Sequence, residues 1–536
     1  MPVRPVGACP HLSPLRGAPL SREKRERSFA IWNGCGTRYV PDDVTTKTQS
    51  GRESRIFELE PGRNCWRVAR AHRAALVVDG CDYFRLVRQA MLKAERQIFL
   101  IGWDLDTRIA LDSAGAKGDP PVHLGPLLSW LVKHKPDLKI YILAWGGMAY
   151  SVLGRGTTLA RMAAWRATGD IEFRLDSAHP REASHHQKIA VIDDALAFCG
   201  GIDITAERWD RREHLDDEPG RRRPTTRRRY DPWHDATMAV DGAAALALGD
   251  LARLRWEAAT ETRLERAGGG GDAWPEELEP DFRDVDIAIA RTRGAHGRWS
   301  QVREIEALFA DLVAGARRHV YIETQYFASR VVAEAVGRRL AEPDGPEFVV
   351  INPKTGFGWL DESVMGPARA ELVKALDRKD RYGRFRIYTP VTTGGADIYV
   401  HAKIMIVDDH VIRVGSANIN NRSMGLDSEC DVMIDCRLPG NESAGPAIKR
   451  LRADLIAEHL GTDPSEVAAS FDKTGSLIAT IERLRGDGRT LLPFRPPEFS
   501  AALTAVAKSE LLDPEGAEAP FERRAPRRLL AGFRRA

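Results

Sequence analysis

The sequence predicts an α/β fold of two like α/β/α sandwich halves, with one site at their pseudo-two-fold interface. Three observations lead there. Short apolar strands alternate with amphipathic helices, the alternation recurs later in the chain, and one motif of mixed polar and apolar residues appears once in each repeat. Strands alternating with helices mean crossovers packed on a mainly parallel sheet. The internal repeat then sets the number of halves.

In the first half, Asp82–Arg96 carries Phe84, Val87, Met91 and Ala94 at helical spacing. Gln97–Asp104 (QIFLIGWD) is short, apolar and partly aromatic, and predicts a buried strand. Lys139–Trp145 (KIYILAW) and Ile171–Leu175 (IEFRL) predict two more. In the second half, Gln301–Ala316 is a helix with Val302, Ile305, Phe309 and Leu312 on one face and Ser300 as its cap. Val320–Phe327, Phe348–Asn352 and Phe385–Tyr388 then take the places of the three earlier strands. The third strand leads the motif that follows it by fifteen residues in one half and sixteen in the other.

These elements divide the chain. Residues 1–60 lack any sustained period and predict a poorly ordered extension; 61–265 and 283–460 are the two halves, joined by a linker at 266–282 that contains Gly268–Gly271. Glu213–Arg229 reads as a charged surface loop. Residues 461–536 follow a helix that Gly461 stops, and form a helical region with a basic tail. In that tail Arg523, Arg524, Arg527 and Arg528 sit beside Leu529, Leu530 and Phe533, a composition suited to an anionic lipid surface.

Composition excludes several classes. Lys plus Arg number 79 and Asp plus Glu 76, a net charge of +3 that gives no broad basic track for nucleic acid. No run approaches the length of a membrane-spanning helix, and no apolar segment follows the early arginines as a secretory signal would require. Seven scattered cysteines suit neither a disulfide framework nor a zinc motif. The expectation is a monomer of the reducing cytoplasm that meets a membrane only peripherally.

The motif is His186-Gln-Lys188, four apolar residues, Asp193, then Gly200-Gly201-Ile-Asp203. Its repeat is His401-Ala-Lys403, four apolar residues, Asp408, then Gly415-Ser416-Ala-Asn418. Six constrained positions make one chance match roughly 10⁻⁵ to 10⁻⁴ per chain at ordinary residue frequencies. Two in register are no accident. On a strand, residues two apart share a face, so each half presents one imidazole and one ammonium together. The small Gly-Gly or Gly-Ser pair is expected to let backbone approach a bound group closely. Two lysines and two histidines suit a phosphodiester: the lysines balance transition-state charge, one imidazole attacks, and the other protonates the leaving oxygen. No catalytic metal and no cofactor is needed.

These residues resemble the phospholipase D superfamily, whose members carry this H-x-K-x(4)-D signature, usually twice. Trp209-Asp210, Pro232-Trp233-His234-Asp235, Ile322–Phe327, Asn421-Arg422-Ser423-Met424 and Ser428-Glu429 resemble its phospholipid-hydrolysing branch, over about residues 62–460. The resemblance implies hydrolysis of a glycerophospholipid at a membrane surface to phosphatidic acid and a free alcohol, with transfer to alcohols as a side activity. It implies His186 as nucleophile and His401 as general acid, Asp235 and Glu429 as the carboxylates supporting the histidines, and Lys188, Lys403, Asp203, Ser416 and Asn418 as the holders of phosphate. Asp193 and Asp408 belong to the catalytic motifs and are expected to brace them by hydrogen bonds. His185, next to the nucleophile but on the opposite face, reads as structural, and His234 as a packed neighbour of the site. Cys430 and Cys436 read as buried thiols, and Trp103, Tyr326 and Trp359 as candidates for the groove wall.

Overall fold

Strand formation follows the apolar runs, and the two longest strands lie where those runs are least obvious. In a computed structural model of the protein, residues 58–112, 120–148, 157–268, 270–356, 359–499 and 513 are described. The first half contains β1 (Arg67–Val78), β2 (Gln97–Gly102), β3 (Lys139–Trp145), β4 (Ile171–Asp176), β5 (Ile189–Ile192), β6 (Leu196–Gly200), β7 (Trp233–His234) and β8 (Ala236–Asp241). The second contains β9 (Phe282–Arg293), β10 (Val302–Arg303), β11 (His319–Glu323), β12 (Glu347–Ile351), β13 (Phe385–Val391), β14 (Tyr399–Val400), β15 (Ile404–Val407), β16 (Val411–Gly415) and β17 (Glu429–Asp435), and β18 (Thr490–Pro493) follows.

Sixteen of these strands form one sheet, whose path runs β18-β13-β12-β11-β15-β16-β17-β9-β1-β8-β6-β5-β2-β3-β4, with β10 on β9. Outward from the β9–β1 centre the order is the same on both sides until β18. The outer strands β2-β3-β4 and β11-β12-β13 pair in parallel, joined by crossover helices. The inner ones, including the motif strands β5 and β15, are antiparallel. The halves are thus one continuous sheet, within a single compact unit spanning Ile56–Ala536.

Both faces of the sheet are covered. Helices Gly242–Thr260 and Gly445–Leu460 pack one face, where Leu248, Trp256, Ile287, Val432, Ile448 and Ile456 share a core that crosses the seam. The other face has two separate cores, one under helices Asp79–Lys93 and Leu124–His134, one under Glu304–Gly315 and Arg330–Leu340. A core continuous across the seam resists separation of the halves, because parting them would expose all of it to water.

Several expectations change. Helix Glu304–Gly315 starts after Arg303, whose side chain makes no cap; Ser300 lies before β10. The 266–282 segment is strapped down: Trp274 is buried, its carbonyl accepts from Lys93 Nζ at 2.8 Å, and Arg73 lies over its ring. The Glu213–Arg229 segment is no simple surface loop, since His214, Glu218 and Arg221 are buried in ion pairs. After Gly461, whose positive φ of 61° closes helix Gly445–Leu460, helices Pro464–Thr474 and Leu477–Leu484 lead to β18 on the edge of β13. Residues 1–57, the basic tail and the Trp359 side chain lie outside what is described.

Candidate active site

Each motif begins just before its strand. His186–Lys188 and His401–Lys403 are extended lead-ins to β5 and β15, and their apolar followers pass through the cores. Backbone from the other half fixes each one: His186 N donates to Ser428 O at 3.0 Å, and His401 N to His234 O at 2.7 Å. Next to His401, β14 pairs in parallel with β7, so the Trp233-His234-Asp235 segment lies against the second motif.

The carboxylate partners are crossed between halves. His186 Nδ1 lies 3.0 Å from both oxygens of Glu429, at the start of β17. His401 Nδ1 lies 2.7 Å from Asp235 Oδ2, between β7 and β8. Each carboxylate follows one motif in sequence and serves the histidine of the other. With Nδ1–H donated to a carboxylate, the Nε2 lone pair of each imidazole is left for chemistry. Glu429 accepts in turn from Ser416 Oγ and from Ser423 Oγ at 2.7 Å. Asp235 accepts from the Ala236 amide at 2.8 Å.

Of the expected phosphate holders, the lysines are well placed and the others have different work. Lys188 Nζ lies 3.1 Å from Asp203 Oδ2 and donates to His186 O at 3.0 Å; Lys403 Nζ donates to His401 O. Asp203 also accepts the Trp103 amide at 2.8 Å, so it anchors Lys188 and the end of β2, and an anion would repel it. Ser416 is fully buried, bracketed between Glu429 and the Cys430 amide, and supports the carboxylate. Asn418 donates to Gln325 Oε1 at 3.3 Å, while its own Oδ1 is buried with no hydrogen-bond partner.

Asp193 and Asp408 hold backbone amides, away from the imidazoles. They stand at the far ends of β5 and β15, where Asp193 accepts the amides of Glu95, Arg96 and Gln97 and Asp408 those of Arg317, Arg318 and His319. Each ties its motif strand to the start of the adjacent strand, β2 or β11. The glycines also act differently from expectation. A Cβ on Gly201 would run into the Asp235 carboxylate and one on Gly415 into Asp431, so the small residues make room for buried acids.

Burial pushes both imidazoles, both of their carboxylates and Lys403 towards the uncharged form. Burial, then Lys188 and Lys403, hold the His186 imidazole well below the usual histidine range. For His401 the causes are burial, Lys403 and Arg208. Burial raises Glu429 to about 7 against the Ser416 and Ser423 hydroxyls, and Asp235 to about 7 against Lys403. It also brings Lys403 down to about 7, with Asp235 opposing and Lys188 adding to the shift. A phosphodiester anion between the two lysines reverses much of this, favouring charged lysine and a protonated His401.

His185 is structural as expected, buried against Asp176 Oδ2 at 3.1 Å and Ser428 Oγ at 3.1 Å. His234 is packed at 2.7 Å from Glu323 Oε2. Cys430 is fully buried and Cys436 partly so. Trp103 stacks on Trp145 at 5.3 Å, half-buried beside Asp203's anchor, and Tyr326 is also half-buried. In the sequence Ser423 stands only within a matching segment, and Arg208, whose guanidinium lies 4.2 Å from the ring centre of Trp233, belongs to no motif. Trp233 in turn lies 5.0 Å from the His401 ring. Their roles depend on contacts across the seam that spacing does not record.

The phospholipase D family model matches residues 386–483, which include the second motif. Phospholipase D A of Dictyostelium discoideum is 24% identical over 73% of this chain and 36% of its own length. Phospholipase D1 of Saccharomyces cerevisiae (strain ATCC 204508 / S288c) is 25% identical over 72% of this chain and 29% of its own. The chain therefore spans about a third of the length of these relatives. Among solved structures, phosphatidylserine synthase of Haemophilus influenzae Rd KW20 aligns with a TM-score of 0.48 and 14% identity, covering 76% of this chain and 94% of that one. With two H-x-K motifs converging on one site, these matches make the chain similar to the phospholipase D superfamily.

Proposed function

We propose that the protein is a phosphodiesterase that hydrolyses glycerophospholipids to phosphatidic acid and a free head-group alcohol. The observation that carries this reading is the crossed pairing, which sets two buried His–carboxylate pairs beside two lysines. His186 Nε2 attacks phosphorus while the bond from phosphorus to the head-group oxygen breaks, and His401 gives that oxygen its proton. Water then attacks the phosphohistidine, passing a proton to His401 as the P–N bond breaks. An alcohol in place of water gives transphosphatidylation. Lys188 and Lys403 offset the charge gathering on the non-bridging oxygens. No divalent ion takes part in the chemical step. Both motifs lie in one chain, so a monomer suffices, working at the surface of a membrane; no described helix is long and apolar enough to cross one.

The test offers purified protein mixed-lipid vesicles and single-stranded DNA side by side, with ethanol added to half the vesicles. Phosphatidic acid, diverted to phosphatidylethanol by the ethanol, is the expected product. Nucleotide release with intact lipid would make the chain a nuclease. Product made mainly by joining two lipids would make it a phosphatidyltransferase.

A further inference from the structure

Next to the Asp235–His401 pair, four buried side chains converge. Asp79 opens helix Asp79–Lys93 with a positive φ of 66°, His214 comes from the 213–229 segment, His234 from β7, and Glu458 from helix Gly445–Leu460 of the other half. His214 Nε2 lies 3.5 Å from Asp79 Oδ2 and 3.2 Å from Glu458 Oε1. His234 Nδ1 lies 3.3 Å from Asp79 Oδ1 and 2.8 Å from Glu458 Oε1. All four donor atoms fall within 4.8 Å of one another. Donors about 2.0–2.2 Å from a tetrahedral zinc ion stand about 3.3–3.6 Å apart, close to the first three of these spacings.

What surrounds the four points the same way. Each histidine turns its other ring nitrogen to a carboxylate: His214 Nδ1 to Asp210 Oδ2 at 3.1 Å, His234 Nε2 to Glu323 Oε2 at 2.7 Å. That carboxylate–histidine–metal arrangement is the one that fixes the tautomer of metal-bound imidazoles. Glu458 is held by Arg212 through its second oxygen. Asp79 Oδ2 is buried and makes no hydrogen bond, although it faces His214 Nε2 across the cluster.

We propose that Asp79, His214, His234 and Glu458 form a structural site for a divalent transition ion of the zinc class, at the seam between the halves. Two imidazoles and two carboxylates suit that class better than calcium or magnesium, and four protein ligands leave no open position for catalysis. The ion would clamp Glu458 of the second half to three ligands of the first. It would also set the Asp235–His401 pair, because Asp79 Oδ1 accepts the Asp235 amide at 3.0 Å and His234 O accepts the His401 amide. No step of phosphoryl transfer passes through it.

The experiment uses the full chain, purified with a tag that does not bind metal. Elemental analysis after dialysis is expected to find about one zinc or similar ion per chain. Stripping it with a chelator should lower Tm, zinc should restore Tm where calcium does not, and cobalt should give the visible absorption of a tetrahedral site. Two variants keep the result independent of misfolding. Asp79→Asn, whose side chain tolerates positive φ, should fold yet lose the metal. Asp210→Asn should keep the ligands and weaken zinc binding about 10–100-fold. A folded wild-type chain with no bound metal, whose Tm neither zinc nor cobalt moves, would overturn the proposal and leave protonated histidines as the balancing charges.

Discussion

The pockets of His186 and His401 are built to one plan and finished differently. Around His186 the carboxylate is long, accepts two hydroxyls, and backs onto the His185–Asp176–Arg255 ion pairs. The His186 side chain keeps 16% of its surface exposed. Around His401 the carboxylate is short and tied to backbone, Trp233 covers the ring, Arg208 adds a charge, and 5% of the side chain is exposed. Next to it stands the His214–His234–Glu458 cluster, with Glu323 and His459 beyond. The more open imidazole suits attack on phosphorus, and the enclosed one suits holding a proton for delivery. Symmetry of fold thus supplies two similar groups, and asymmetry of surroundings separates their roles.

The largest effects test that separation. His186→Asn is expected to abolish turnover of every substrate. His401→Asn should slow phospholipid about 10²–10⁴-fold, the usual worth of a general acid, but much less a substrate whose leaving group needs no proton. Equal losses with both substrates, followed by head-group release, would erase the contrast. Next come the carboxylates: Glu429→Gln and Asp235→Asn should each cost about 10²–10⁴-fold by releasing the imidazole's tautomer, with little change in KM for soluble substrate. If either variant keeps more than a tenth of wild-type kcat, its carboxylate merely fills space.

A smaller effect concerns pH. As pH falls through about 7, Asp235 and Glu429 take up protons and stop accepting from Nδ1; as pH rises through about 7, Lys403 loses its charge. The profile of kcat/KM is therefore expected to be a narrow bell near neutrality. Ser423→Ala removes a hydroxyl that favours ionised Glu429, so its acidic limb should move to higher pH with a loss of about 1 kcal/mol in transition-state stability. The alkaline limb, set by Lys403, should stay in place. A shift of both limbs would mean that the two pockets titrate as one.

Much of this was legible in the chain. The motif strands are runs of Ile, Val and Met buried on both faces, and such runs read as strands without any partner in view. β1 and β9, the central and longest strands, were not legible. RVARAHRAALVV alternates Arg with Ala over a partly exposed first half and is buried only towards its end, and FRDVDIAIARTR sets charged residues on either side of its buried centre, so neither shows a continuous apolar run. The lysines and histidines could be named from spacing alone. Which carboxylate serves which histidine could not, since Glu429 and Asp235 reach across the seam. Ser416 reads as a phosphate holder by spacing because its actual partner, Glu429, lies thirteen residues on, at the start of the neighbouring strand β17. The Asp79–His214–His234–Glu458 cluster draws on four distant segments, and only His234 among them lies in a segment the sequence singles out.

In the proposed mechanism His186, and not its near-symmetric counterpart, carries the phosphoryl group. The most direct test quenches the enzyme in acid-avoiding conditions during turnover of a phosphodiester with a good leaving group, then maps the labelled peptide. Label on His186, retained in His401→Asn and absent from His186→Asn, is the result expected. Label on His401 would reverse the roles, and no labelled histidine together with no capture by ethanol would contradict the covalent mechanism itself.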